Sequence, residues 1–247
     1  MVAATVGQDA GMTDPATLWD FDDPAGSEQR FRAAVETAEG TDRLVLLTQL
    51  ARSLGLQERY DEGHAVLDDL AVDDAEVATR ASLERGRLLR SAGDPEAARP
   101  HFEAAAGSAR AGGLEALHVD ALHMVALVAP TEDQLRLTEE ALAVARASQD
   151  EAARNWDASL LNNLGMTHAD AGDWPAALVA FKEALAARER IGDPGRTRVA
   201  RWMVGWALRN LGRTDDALTL QTALKAELEA AGEQDPYVDE ELALLKG

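Results

Sequence analysis

The chain contains no cysteine. That excludes disulfides, thiolate metal sites and a cysteine nucleophile together. Aromatic residues make up only 4% of its 247 residues, and Val and Ile are scarce beside Ala and Leu, which disfavours an all-β protein and favours helix. No apolar run approaches the roughly 20 residues of a membrane-spanning helix. The opening residues MVAATVGQDAGM have neither the basic start nor the long apolar stretch of a secretory leader, so cytoplasmic localisation is expected. Positive charge is also short: 24 Lys and Arg stand against 44 Asp and Glu, a net charge of −20. Such a chain repels a phosphate backbone, so neither nucleic acid nor membrane is the expected partner.

Catalytic signatures are missing as well. There is no phosphate loop, no dinucleotide-binding glycine fingerprint and no zinc-binding helix motif. The histidines, His64, His101, His118, His123 and His168, include no pair four residues apart that would share one helical face at a metal. Carboxylates are many, but no pair is singled out as acid and base. The expectation is a chain that is not an enzyme and takes no cofactor and no metal.

What is present is a globular composition, 46% hydrophobic and 28% charged, with its charge unevenly placed. Residues 1–30 hold six acids against Arg30, and residues 227–247 hold seven against Lys246. Two stretches run the other way. Arg80, Arg85, Arg87 and Arg90 face only Glu84, and 196–213 holds Arg196, Arg198, Arg201, Arg209 and Arg213 with no acid. A charge run usually marks a solvated helix face, so these matter only if their faces are functional.

An internal repeat organises the chain. Gly86, Gly93, Ala98 and Phe102 recur 79 residues later as Gly165, Gly172, Ala177 and Phe181, and the last copy's Gly205, Gly212 and Ala217 follow 40 residues on. In the clearest copy, LLNNLGMTHADAGDWPAALVAFKEAL at 160–185, apolar residues recur at helical spacing on both sides of Ala171-Gly172-Asp173. Gly93, Gly172 and Gly212 suit the left-handed end of a helix. Asp94, Asp173 and Thr214 read as caps of the next one, and Pro95 stands at a first helical position where its missing N–H costs nothing. Thr131 with Gln134 reads as a capping box, and Ser27 as the cap of a helix over 28–38.

These residues resemble the tetratricopeptide repeat, a helix–turn–helix of about 34 residues. Leu161, Leu164, Gly165, His168, Ala177, Phe181 and Ala184 match its signature, with His168 in place of an aromatic, whereas the last copy has Gln221 where Phe is usual. The longer period is similar to that of kinesin light chain and bacterial peptide sensors. The resemblance implies an all-α, right-handed superhelical solenoid. Its array would occupy 27–234, with repeats near 42–72, 79–112, 119–152, 158–191 and 198–231. A flexible acidic arm over 1–26 precedes it, and a capping helix over 235–247 follows.

In that family the first helices of successive repeats line a concave groove. Carried over position by position, the groove residues are Arg87, Arg90, His123, Asn162, Trp202, Trp206 and Arg209, with Gln49 and Arg52 as the nearest equivalents in the degenerate first copy. Spacings of four and seven residues do place Trp202, Trp206 and Arg209 on one helical face. Such a groove is basic and aromatic within an acidic protein, which suits a short acidic peptide or protein tail. Each residue has a plainer reading, too. The Trp pair can be packing, Arg87 and Arg90 can pair with Glu on a neighbouring helix, and His123 can be a satisfied polar residue. The readings carried forward are a non-catalytic binding scaffold, a sensor of signalling peptides, and a self-associating adaptor that forms a homo-oligomer. The arm contains Trp19 and Phe21 within LWDFDDP. It can dock on itself, either as a cap over the first helices or as an occupant of the groove.

Overall fold

The computed structural model describes residues 14–247. Among these residues there are helices and no strand. After a 3-10 turn over Pro15–Leu18 come α1 (Pro24–Thr37), α2 (Gly40–Gly55), α3 (Tyr60–Asp68), α4 (Ala75–Ser91), α5 (Pro95–Ala111), α6 (Glu115–Leu127) and α7 (Thr131–Ala147). They are followed by the short α8 (Glu151–Arg154), α9 (Asp157–Asp170), α10 (Trp174–Ile191), α11 (Pro194–Asn210), α12 (Thr214–Ala231) and α13 (Pro236–Lys246). The fold is an all-α array of tetratricopeptide-like helix pairs. The chain divides into two compact units, one ending at Leu117 and the other starting at His118.

In the first unit α2 packs with α3 and α4, and α4 with α5. Phe31, Val35, Leu46, Leu50 and Leu54 form a buried cluster that Leu18 and Trp19 cover. Burying one such side chain contributes roughly 1.5–3 kcal/mol. In the second unit α9 packs with α10, α10 with α11, α11 with α12, and α12 with α13. Leu224 and Leu228 of α12 bury against Val238 and Leu242 of α13.

The turns follow local chemistry. Gly172 ends α9's turn at φ +76° and Gly212 that of α11 at φ +71°, where a side chain would be strained. Asp94 and Asp173 accept from Ala97 N and Ala176 N at the starts of α5 and α10. Within the helix pairs the small residues permit close approach. A Cβ added at Gly165 would stand 2.3 Å from the Phe181 ring, and one at Gly86 2.4 Å from Phe102.

Three expected caps fall elsewhere. Asp23, not Ser27, caps α1, accepting from Gly26 N. Ser27 is buried inside the helix, where its hydroxyl accepts from Asp20 N and donates to Asp20 O, both at 2.8 Å. Thr214 and Thr131 are first helical residues, preceded by Arg213 and Pro130, and neither helix has a side-chain cap bond. Gln134 instead donates to Ala129 O at 3.0 Å. Of the arm expected over 1–26, residues 1–13 lie outside the described residues, and the stretch from Asp14 runs into α1.

Candidate functional site

The second unit gathers the aromatic side chains that the spacing of α11 placed on one face. Asp193 accepts from Arg196 N and so starts α11. Trp206 then sits edge-on to Trp174 at 4.8 Å and tilted against Phe181 at 6.2 Å, between the helix pairs α9/α10 and α11/α12. Trp202 stacks on Trp206 at 6.0 Å with planes 13° apart. Its Nε1 donates to Tyr237 O at 3.1 Å, and the two rings meet edge to face at 6.2 Å. A ladder of four aromatics, Trp174, Trp206, Trp202 and Tyr237, results. Its inner end is packing and its outer end open, since Tyr237 is 66% exposed.

Arg209 reaches the same neighbourhood already engaged. Its Nε and Nη2 both donate to Glu241 of α13, at 2.8 Å each. That hydrogen bond raises the arginine pKa, against the opposing effect of burial, with the Glu241 and Glu240 charges adding to the rise. Glu241 is buried, so the pair is a shielded ion pair rather than a waiting anion receptor.

The other candidates are distributed. His123 of α6 is met by Asn163 and not by Asn162: Asn163 Nδ2 lies 2.7 Å from Nε2 of His123, and Trp156 tilts against the imidazole at 5.3 Å. Asn162 instead opens on a small cleft between α9, α10 and α11, with Arg188 and Arg196. In the first unit Arg87 hydrogen-bonds Glu84, which is buried and also 3.8 Å from Arg52. Arg90 stands exposed in the last turn of α4.

The arm's aromatics dock on the first helices. Trp19 stacks on Phe21 at 4.7 Å, meets Phe31 edge to face at 4.9 Å, and donates from Nε1 to Gln49 Oε1 at 3.0 Å. The Arg52 guanidinium lies over both rings, 5.8 Å from Trp19 and 5.6 Å from Phe21. Arg30 holds the approach by donating to Leu18 O at 2.8 Å. Behind this contact Glu28 accepts from Arg32, Arg59 and Gln57. Burial pushes the Glu28 carboxyl up, but its bonds to Gln57 and Arg32 and the Arg59 charge outweigh that and hold it below the usual carboxylate range.

The positions carried over from the repeat did not include Trp156, Trp174, Tyr237, Glu84 or Glu241. Glu84 was legible as an acid three residues before Arg87 on one helix. Glu241 carried a fainter mark, an acid beside Leu242 and one turn from Val238 on the apolar side of a short helix. Among the described residues no cluster of His, Asp and Glu is arranged to hold a metal, and no helix is long and apolar enough to cross a membrane.

Residues 156–224, which hold this ladder up to α12, match the tetratricopeptide repeat family. No curated protein matches the chain. Among solved structures the chain is similar to the apo form of the quorum sensor NprR from B. thuringiensis, with a TM-score of 0.64 and 15% identity over 92% of this chain. The chain spans 64% of that structure's length. It is also similar to BtubC (BKLC) from P. vanneervenii, with a TM-score of 0.60 and 18% identity over 91% of this chain and 94% of the other. NprR in complex with its cognate peptide NprX gives a TM-score of 0.56 and 14% identity, covering 92% of this chain and 66% of the other. At these identities the likeness is one of fold.

Proposed function

We propose that this chain is a non-catalytic scaffold that captures a short peptide or protein tail against the first-helix face of its second unit. The observation that carries the reading is the aromatic ladder, packed from Trp174 through Trp206 and Trp202 and open at Tyr237. Trp and Tyr are enriched among the residues that carry binding energy at interfaces, because they offer large contact area at little entropic cost. The similarity in fold to NprR, whose structure with its cognate peptide NprX is known, supports a peptide as the ligand. A preference for acidic ligands rests on the arginines that no carboxylate already holds, because Arg209 is satisfied by Glu241. Selection of a displayed random-peptide library on the full chain tests this, followed by titration of enriched peptides against Trp202→Ala. The expected loss is about tenfold or more, about 1.4 kcal/mol. No enrichment, or equal affinity for the variant, overturns the reading.

A second reading concerns the arm, which sits on Gln49 and Arg52, the first copy's equivalents of the groove positions. There it acts as a tethered competitor as well as a cap. Deleting residues 1–26 separates the two. Tighter binding of the selected peptides with an unchanged Tm supports competition, whereas a lower Tm with unchanged binding leaves only the cap.

A further inference from the structure

In the cleft between α9, α10 and α11, Arg188 departs from the pattern of its neighbours. Around it Arg190 binds Asp157 at 2.8 and 3.1 Å, Arg198 binds Glu233 at 2.6 Å, and Arg209 takes Glu241. Arg188 is half-buried, yet among the described residues its hydrogen-bond partner is a neutral hydroxyl, Ser159 Oγ, at 2.8 Å. Arg30 and Arg154 are also half-buried outside ion pairs, but each donates to a backbone carbonyl, whereas among the described residues Arg188 has only the serine hydroxyl.

Its surroundings add to the imbalance. Arg196 faces the same cleft from the start of α11, with Asp193 3.4 Å from its Nε. Burial, and then the Arg196 charge, hold the Arg188 guanidinium below its ordinary pKa, although Asp193 and Asp157 counter them. It remains a cation at neutral pH. A cation that is desolvated and beside a second cation is relieved by an anion placed between them.

The space fits a particular size of anion. The cleft has a volume of about 140 Å³ and is lined by Ala158, Ala184, Ala200 and Val199, together with Asn162 and the two arginines. Pockets for whole small molecules run to roughly 300–1,000 Å³, so this one takes a single group. Apolar walls suit a short methylene stem, and two guanidinium groups with a side-chain amide suit a planar carboxylate.

We infer that the Arg188–Arg196–Asn162 cleft is a carboxylate subsite, which receives one acidic side chain or the chain terminus of a bound peptide. This rests on the peptide-binding reading above for the nature of the ligand, but the subsite is testable with fragments alone.

The test follows the arginine Nε–Hε resonances of the full chain by NMR during titration with four probes. N-acetylglutamate methylamide presents only a side-chain carboxylate, and N-acetylglutamine only a terminal one. N-acetylglutamine methylamide presents neither, and inorganic phosphate is the competing anion. One or both carboxylate probes are expected to shift Arg188 and Arg196 saturably, and whichever does so names the source. Arg188→Gln is expected to weaken that binding by about tenfold, and the exposed Arg196→Gln by about threefold. Equal shifts from the neutral probe, stronger binding of phosphate than of either carboxylate, or unchanged binding in both variants overturns the subsite. Failure here with selected peptides still dependent on Trp202 removes only the subsite. Fragment binding without peptide enrichment removes only the peptide scaffold reading.

Discussion

The helix pairs α9/α10 and α11/α12 share a frame and differ at its centre. Each first helix carries a glycine at the same step, Gly165 and Gly205, against which the second helix presses a side chain. In α9/α10 that side chain is the fully buried Phe181. In α11/α12 it is Gln221, equally buried, whose Nε2 donates to Trp202 O at 3.2 Å while its Oε1 has no partner among the described residues. The first pair is held by apolar filling. The second keeps a polar centre and is braced from outside by α13, through Val238, Leu242 and the Arg209–Glu241 pair. A repeat can thus keep its backbone approach and change what fills it, provided the neighbouring helix makes up the difference.

The largest expected effect tests the apolar centre. Phe181→Ala should lower stability by about 3–5 kcal/mol, through lost burial and the cavity left beside Gly165 and Trp206. A denaturant midpoint within error of the wild type would show that this pair is not held by its filling. Next comes the external brace. Arg209→Ala leaves Glu241 buried without its cation and should cost about 2–3 kcal/mol, discounted because the arginine is partly exposed. Glu241→Gln in the Arg209→Ala background should restore part of that loss. No recovery in the double variant would assign the cost to packing instead.

The glycines give a smaller contrast. Gly165→Ala puts a Cβ against an aromatic ring that cannot yield, for an expected cost of about 2 kcal/mol. Gly205→Ala meets first the Gln221 Nε2, at 2.4 Å, the end of a flexible chain. It should cost about 1 kcal/mol or less, since that end can turn away. Equal losses in thermal melts would erase the distinction between the two centres. Smallest of all is Gln221→Leu. It removes the amide donor together with a buried unpartnered acceptor, so stability should stay level or rise slightly. A fall of more than about 1 kcal/mol would mean that the bond to Trp202 O is a real tie between the helices.

Much of the fold was legible. The 40-residue step, the turn glycines and the caps at Asp94 and Asp173 all stand in the helix ends. The misplaced caps were also local, because Ser27, Thr131 and Thr214 have the right chemistry one or a few residues inside the true start. The candidate site was read less well. Trp202, Trp206 and Arg209 do share one region of α11, but the helical face alone did not reveal that Trp206 is wedged against Trp174 or that Arg209 is spoken for. His123 found Asn163 where the repeat register had put Asn162 forward.

The sequence by itself determined where helices start, turn and press together, since these depend on capping bonds and apolar spacings that reach only a few residues along the chain. Tertiary structure decided what each charged or aromatic side chain meets. Arg209 and Glu241 lie 32 residues apart, Trp19 and Gln49 30 apart, and Arg188 is left with a serine. Those outcomes depend on the distances between helices, over which opposite charges and hydrogen-bonding groups either reach one another or do not.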